Sequence, residues 1–281
     1  MDSHQAPSPR FPLIRARRAR AGEWVLPFAD GGSADAAHLP LIALRGERKR
    51  IEAALRNGES LLVLGPRGCG KTRLLAECSL AVPGTAFVHY SANPHLLLQS
   101  LALALMATGH KHILHCLPGG SAPAKWTAKQ TSVYLRGILW KALEKQPARI
   151  VLDGVDSASF PVLRFFQRIY FVRGMSIVAS ARDAFALGAL GRLFWDPAKT
   201  LRLKPLNDAA SAELFETAAR HYGVAAANLE DFRGRALETA SGNGGQIVGM
   251  CRLAARPEYL TASGRIKLEL VRIDSLIGTM G

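Results

Sequence analysis

The sequence is poor in cysteine and has no long apolar segment. Its four cysteines are scattered, without the Cys-x-x-Cys spacing of a zinc knuckle or redox pair: Cys69, Cys78, Cys116 and Cys251. The most hydrophobic segment, residues 96–107, is interrupted by polar residues and is shorter than the roughly 20 residues that span a bilayer. These absences argue against a disulfide scaffold, a structural zinc site and a membrane span, and they favour a cytoplasmic protein.

Acidic residues are also scarce. The 281 residues contain 36 Lys and Arg but 22 Asp and Glu, which gives a formal net charge of +14. Excess positive charge attracts nucleic acid, so DNA is a candidate partner. Five arginines lie within residues 1–22, which have no apolar core of a signal peptide. We expect a disordered basic arm over residues 1–40, with a mitochondrial transit peptide as the alternative.

Short apolar segments alternate with helical patterns in the first two thirds of the chain. Five of them are typical of strands: residues 61–64, 86–90, 150–152, 176–179 and 200–203. Strands that are apolar throughout are buried on both faces, as in a parallel sheet covered by helices. We therefore predict an α/β domain over residues 41–205. Helical patterns alone follow, which predicts a small all-helical lid over residues 206–281.

The most specific motif lies between the first predicted strand and the next helix. It matches Gly-x-x-x-x-Gly-Lys-Ser/Thr: Gly65, Pro66, Arg67, Gly68, Cys69, Gly70, Lys71 and Thr72. Glycines allow backbone N–H groups to surround phosphate oxygens, and the following helix adds the partial positive charge of its N-terminus. This segment, named here the phosphate loop, predicts binding of a nucleoside triphosphate, with ATP as the first candidate.

The end of the phosphate loop supplies the predicted ligands of the triphosphate and its metal. The Lys71 ammonium is expected to reach the β and γ phosphates, and the Thr72 hydroxyl is expected to bind Mg²⁺. Arg73, the next residue, is included among the nucleotide-binding positions. Cys69 is interpreted as a small filler of the loop, with a redox role as the alternative.

A carboxylate follows the third predicted strand. Asp153 comes directly after residues 150–152, and ligands of open α/β sheets gather at the carboxyl ends of strands. Asp153 is therefore predicted to hold Mg²⁺, directly or through water. The alternative is a helix N-cap.

These motifs together resemble the AAA+ and STAND branch of P-loop ATPases. The resemblance covers residues 41–255 and includes Arg-Gly-Glu at 45–47 and Ser-Ala-Arg at 180–182. It implies a P-loop sheet sandwiched by helices, a helical lid and Mg²⁺-dependent ATP hydrolysis. Arg182 resembles the arginine that senses the γ-phosphate in STAND proteins; the alternative is a surface arginine paired with Asp183.

Three positions depart from the usual family pattern. Residues 152–156 resemble the NACHT form of the Walker B motif, with Gly154 where many AAA+ members have a catalytic glutamate. Asp156 is the candidate to position the attacking water, and hydrolysis should be slow if it does not. The turn at residues 240–246 resembles the Gly-Asn-Pro turn of related lids, but Gly244 replaces the proline. No arginine is assignable to the sensor-2 position.

The resemblance also suggests where the lid and a neighbouring subunit contribute. Pro205, at the junction of sheet and lid, is expected near the adenine. Arg164, Arg168 and Arg173 occupy the segment where ring-forming AAA+ proteins present an arginine to a neighbour's nucleotide. A homo-oligomer or another protein partner is therefore a candidate.

Three functions fit these observations. The first is an ATPase whose hydrolysis drives a conformational or assembly switch. The second is a DNA-associated accessory ATPase of the transposition or replication-initiation type. The third is a nucleotide-binding interaction module with negligible hydrolysis.

Overall fold

A computed structural model describes residues 39–280, with side chains to residue 277. The predicted basic arm over residues 1–40 lies outside the described residues, apart from Leu39 and Pro40. Within residues 39–280 no helix is long and apolar enough to cross a membrane.

A five-stranded parallel sheet forms the centre of the molecule. Its strands lie in the order β2-β3-β4-β1-β5: β1 (Leu61–Leu64), β2 (Thr85–His89), β3 (Arg149–Val155), β4 (Ser176–Ala181) and β5 (Thr200–Arg202). Each corresponds to one of the five apolar segments, so the predicted α/β class is confirmed. Because the strands are parallel, the residues that follow β1, β2, β3 and β4 meet at one edge of the sheet.

Seven helices of the described chain precede β5, and four follow it. The first group is: α1 (Arg45–Asn57), α2 (Lys71–Ala81), α3 (Pro94–Ala107), α4 (Lys111–Leu114), α5 (Pro123–Ala128), α6 (Ser132–Lys145) and α7 (Phe160–Tyr170). The second group is: α8 (Asp208–Tyr222), α9 (Leu229–Ala240), α10 (Gly244–Ala254) and α11 (Leu268–Met280). Short 3₁₀ segments occupy Phe185–Leu193, Pro197–Lys199 and Pro257–Tyr259.

The two faces of the sheet bury separate sets of side chains because successive residues of a strand point to opposite faces. In β1, Leu61 and Val63 pack with the apolar residues of α1 and α2. Leu62 and Leu64 pack on the other face with α3, α6 and α7. This double burial explains why every residue of β1 is apolar.

The helices after β5 form a hydrophobic core of their own. Phe215, Phe232, Ile247 and Met250 are buried in this core, which also receives Leu39 from the beginning of the described chain. The predicted helical lid is thereby confirmed as a feature of the fold. The residue boundaries assigned to the arm, the sheet domain and the lid stay predictions.

Candidate functional site

The phosphate loop connects β1 to α2 with a backbone that requires glycine. Gly68 and Gly70 have φ values of 81° and 90°, in the left-handed region that side chains disfavour. A Cβ on Gly65 would lie 2.7 Å from Cys69 Sγ. The loop is therefore a tight turn whose conformation depends on the glycine spacing of the motif.

Lys71 folds back onto this loop. Its Nζ atom donates hydrogen bonds to the carbonyl oxygens of Gly65 at 2.6 Å and Pro66 at 2.8 Å. Among the described residues no side chain caps α2, whose N-cap is Gly70. The helix N-terminus and the Lys71 ammonium thus provide positive charge at the same end of the loop, which is the electrostatic requirement for holding phosphate.

Asp153 and Thr72, the two predicted metal ligands, are in contact. Asp153 is 5% exposed and accepts hydrogen bonds from the hydroxyls of Ser180, at 2.8 Å, and Thr72. His89 Nδ1 lies 3.3 Å from Asp153 Oδ2. Burial on its own raises the pKa of Asp153, but the hydrogen bonds from His89, Ser180 and Thr72 outweigh burial and lower that pKa. The site therefore offers an ionised carboxylate beside a hydroxyl, a donor pair that suits Mg²⁺.

A β-bulge in β3 places Asp153 and Gly154 opposite Ser180 of β4. The pairing of β3 with β4 shifts between Leu152 and Val155, so Asp153 and Gly154 together face Ser180. Gly154 has φ 72°, and its N–H donates to Ser180 Oγ at 2.8 Å. Ser180 thus bonds both residues of the bulge. A glutamate at position 154 would be strained in this left-handed conformation, so glycine suits the backbone of the bulge.

Asp156 is exposed beyond the end of β3. Its Oδ1 accepts a hydrogen bond from the Ser157 hydroxyl at 3.1 Å. Burial, and then the nearby charge of Asp156, raise the pKa of Tyr90, which follows β2. Asp156 therefore lies at the same sheet edge as Asp153, and its role in positioning water stays a prediction.

Arg182 follows the strand that anchors the phosphate loop. The backbone N–H of Gly65 donates to the carbonyl oxygen of Ala181 at 3.3 Å, one residue before Arg182. The Arg182 side chain is 69% exposed and lies 3.4 Å from Asp183. This ion pair corresponds to the alternative interpretation, whereas the sensor role stays a prediction.

The lid contacts the phosphate loop through the turn at residues 241–246, named here the lid turn. Asn243 Nδ2 donates to the carbonyl oxygen of Arg67 at 2.8 Å, and the N–H of Gly245 donates to that of Gly68 at 2.7 Å. A Cβ on Gly245 would lie 2.8 Å from the Cα of Gly68. The backbones of lid and loop are therefore too close for any residue but glycine at position 245.

A cavity of about 300 Å³ opens beside this contact. The backbone N–H of Leu206 donates to the carbonyl oxygen of Gly242 at 2.9 Å, which holds the junction of sheet and lid against the lid turn. Pro205 borders the cavity, and its position near the adenine stays a prediction. The other lining residues come from the loop and the lid: Pro66, Cys69, Thr239, Ala240, Ser241, Gly242, Asn243 and Gln246.

The sequence did not reveal three of these positions. His89 lies within a predicted strand, and its proximity to Asp153 follows only from the pairing of β2 with β3. Ser180 and Asn243 belong to recognised motifs, but their hydrogen bonds depend on the bulge and on the lid position.

Arg73, predicted to flank the nucleotide, lies 3.3 Å from Glu77 within α2. Within the described side chains, no group of three or more His, Cys, Asp or Glu could hold a metal ion.

Comparison with known proteins places the fold. No protein-family model and no curated protein matches the chain. Among solved structures, the Walker-type ATPase of Pyrococcus abyssi matches with a TM-score of 0.58 and 15% identity, over 85% of this chain and 73% of that chain. The chain has the AAA+ P-loop NTPase fold.

A second solved structure has a similar fold. Cdc6p from Pyrobaculum aerophilum matches with a TM-score of 0.51 and 11% identity, over 77% of this chain. The chain covers 62% of the length of that protein. At these identities the similarity establishes the fold alone.

Proposed function

We propose that this protein is an ATP-binding P-loop ATPase in which nucleotide controls the position of the lid. The observation that supports the proposal is the convergence of the phosphate loop, Lys71, Thr72 and Asp153 at the carboxyl edge of the sheet. Backbone glycines, a lysine, a hydroxyl and an ionised carboxylate are the groups that a triphosphate and its Mg²⁺ require.

Each of these groups has a distinct task in the proposed reaction. Lys71 exchanges the carbonyl oxygens of Gly65 and Pro66 for phosphate oxygens. Thr72 and Asp153 would hold Mg²⁺, which when bound would neutralise the charge that develops on the phosphates. His89 and Ser180 fix the orientation of the Asp153 carboxylate.

Hydrolysis is proposed to be slow. Gly154 has no side chain that could orient water, and its left-handed backbone disfavours any replacement. Asp156 is the remaining acid of the motif, and it is exposed to solvent. A water molecule held by an exposed carboxylate is less well positioned than one held inside a closed site.

The lid supplies the switch. Asn243 and Gly245 hold the carbonyl oxygens of Arg67 and Gly68, so the lid turn fixes the conformation of the loop that must accept phosphate. Nucleotide that reorganises the loop would change these two bonds, and the lid would move in consequence. Arg182 is proposed to respond to the γ-phosphate after leaving Asp183.

DNA association is the second candidate function, and one observation favours it. Residues 39–205 contain 23 Lys and Arg against nine Asp and Glu, whereas residues 206–281 contain eight against nine. The excess positive charge of residues 39–281 therefore lies in the sheet domain and not in the helical lid.

Phosphate release under saturating ATP and Mg²⁺ tests the proposed ATPase. We expect slow release by the native protein and loss of release in Asp153→Asn. Asp156→Ala should release phosphate more slowly than the native protein, because Asp156 is proposed to position the water. Glu144→Gln, an exposed acid on α6, is the matched control. Release that is equal in native protein and Asp153→Asn would exclude this site as the hydrolytic one.

A further inference from the structure

The solvent-facing side of α7 combines arginine with exposed aromatic rings. The opposite side of this helix is apolar and packs on the sheet through Val162, Leu163, Phe165, Phe166 and Ile169. The exposed side presents Phe160, Arg164 and Arg168, and the chain continues into Phe171 and Arg173. Phe160 is 57% and Phe171 is 76% exposed. Exposed phenylalanines between arginines are not explained by packing of the core.

Neighbouring elements extend this surface with further guanidinium groups. The Arg168 guanidinium lies 4.5 Å from the centre of the Trp140 ring on α6, and that of Arg136 lies 5.2 Å from it. Arg192 lies 5.2 Å from the centre of the Phe160 ring. The set is named here the arginine–aromatic stripe: Arg136, Trp140, Phe160, Arg164, Arg168, Phe171, Arg173 and Arg192.

The stripe is positively charged with little internal compensation. Glu144 forms an ion pair with Arg168 at 2.8 Å. Within residues 39–277, neither Arg164 nor Arg173 has a carboxylate at ion-pair distance. Phe160 and Phe171 are 11 residues apart, so the helical rise separates them by about 16 Å. Arg164 between the two exposed rings and Arg173 just beyond the second suit an extended polyanion that also carries flat rings.

We propose that the arginine–aromatic stripe binds single-stranded nucleic acid. Arginines would contact the phosphates, and bases would stack on the rings of Phe160 and Phe171. Duplex DNA hides its base faces and would use the arginines alone. The proposal assigns a surface and a strand form to the DNA association given above as the second candidate function, and it does not depend on the nucleotide-binding function.

Fluorescence anisotropy of a labelled 20-nucleotide oligo-dT tests the proposal with the full-length protein at 50 and 200 mM salt. The first variant, Phe160→Ala with Phe171→Ala, removes the rings without changing charge. The second, Arg164→Ala with Arg173→Ala, removes two cations. Arg45→Ala with Lys49→Ala is the matched control, because it removes two exposed cations from α1 on the opposite face of the sheet. Thermal melting verifies that each variant is folded.

The native protein should bind the oligonucleotide with an affinity that falls as salt rises. Loss of both rings should weaken binding at least about fivefold with the salt dependence unchanged. Loss of both arginines should reduce the salt slope by about 1.4, since each phosphate contact on a single strand contributes about 0.7. The control should change affinity less than about twofold.

Three results would overturn the assignment. The native protein could fail to bind at 50 mM salt, or the control could lose as much affinity as the stripe variants. The ring variant could also bind the oligonucleotide as tightly as the native protein does. If instead the stripe variants alter only the mass in solution, measured by light scattering, the stripe is an interface between protein subunits.

Discussion

The side-chain amide of Asn243 donates a 2.8 Å hydrogen bond to the carbonyl oxygen of Arg67. One residue belongs to the lid and the other to the phosphate loop, 176 positions earlier in the chain. This bond and the neighbouring one from Gly245 to Gly68 join the two parts of the proposed nucleotide site. The position of the lid and the conformation of the loop are therefore coupled.

Removal of the Asn243 side chain should make the loop easier for nucleotide to reorganise. We expect Asn243→Ala to bind a fluorescent ATP analogue about fivefold more tightly, because one net hydrogen bond contributes about 1 kcal/mol to the closed arrangement. Asn243 also caps α10 by accepting from the N–H of Gln246 at 3.2 Å. Asn207→Ala is the matched control, since Asn207 caps α8 in the same way. Equal affinities in native protein and Asn243→Ala would contradict the coupling.

Gly68 should be more sensitive to substitution than its backbone angle alone requires. A Cβ on Gly68 would collide with Asn243 Oδ1, whereas at Gly109, with φ 78°, it would meet nothing within 4 Å. We expect Gly109→Ala to lose about 1–2 kcal/mol of folding stability through left-handed strain, and Gly68→Ala to lose more because its Cβ also collides with Asn243. Urea denaturation measures the loss of stability. The affinity for the fluorescent ATP analogue should change in Gly68→Ala alone. A change of affinity in both variants would mean that general destabilisation, rather than the lid contact, is responsible.

The Ser180 hydroxyl should contribute to Mg²⁺-dependent nucleotide binding as well as to folding stability. Ser180→Ala leaves the Gly154 N–H without its acceptor and Asp153 without one donor, so stability should fall by about 1–3 kcal/mol. Ser176→Ala, on the same strand, removes a buried hydrogen bond to the Glu59 carbonyl oxygen and is the matched control. Both variants should be less stable in urea.

Only Ser180→Ala should also change the pH dependence of Mg²⁺-dependent nucleotide binding. The Ser180 hydrogen bond helps to lower the pKa of Asp153, so its loss raises that pKa. Protonated Asp153 does not bind Mg²⁺, and the acid limb of a binding titration should therefore move to higher pH. An unchanged acid limb would show that Asp153 is not the metal ligand.

The sequence predicted the sheet and the motif positions because those signals are local. Five apolar segments identify five strands, and the glycine spacing identifies the loop before α2. The contacts of His89, Ser180 and Asn243 could not be predicted, because strand order, a one-residue bulge and lid docking depend on tertiary packing. Gly154 illustrates the difference: the sequence shows a missing glutamate, and the structure shows a left-handed bulge where glycine is favoured.

Binding of a fluorescent ATP analogue to Lys71→Ala, in the presence of Mg²⁺, tests the central claim most directly. Lys141→Ala, which removes the same charge from the exposed side of α6, is the control. Hydrogen bonds that involve a charged group contribute about 1.5–3 kcal/mol, so Lys71→Ala should weaken binding by at least about tenfold while Lys141→Ala binds as the native protein does. If Lys71→Ala binds the analogue with native affinity, residues 65–72 are not the nucleotide site.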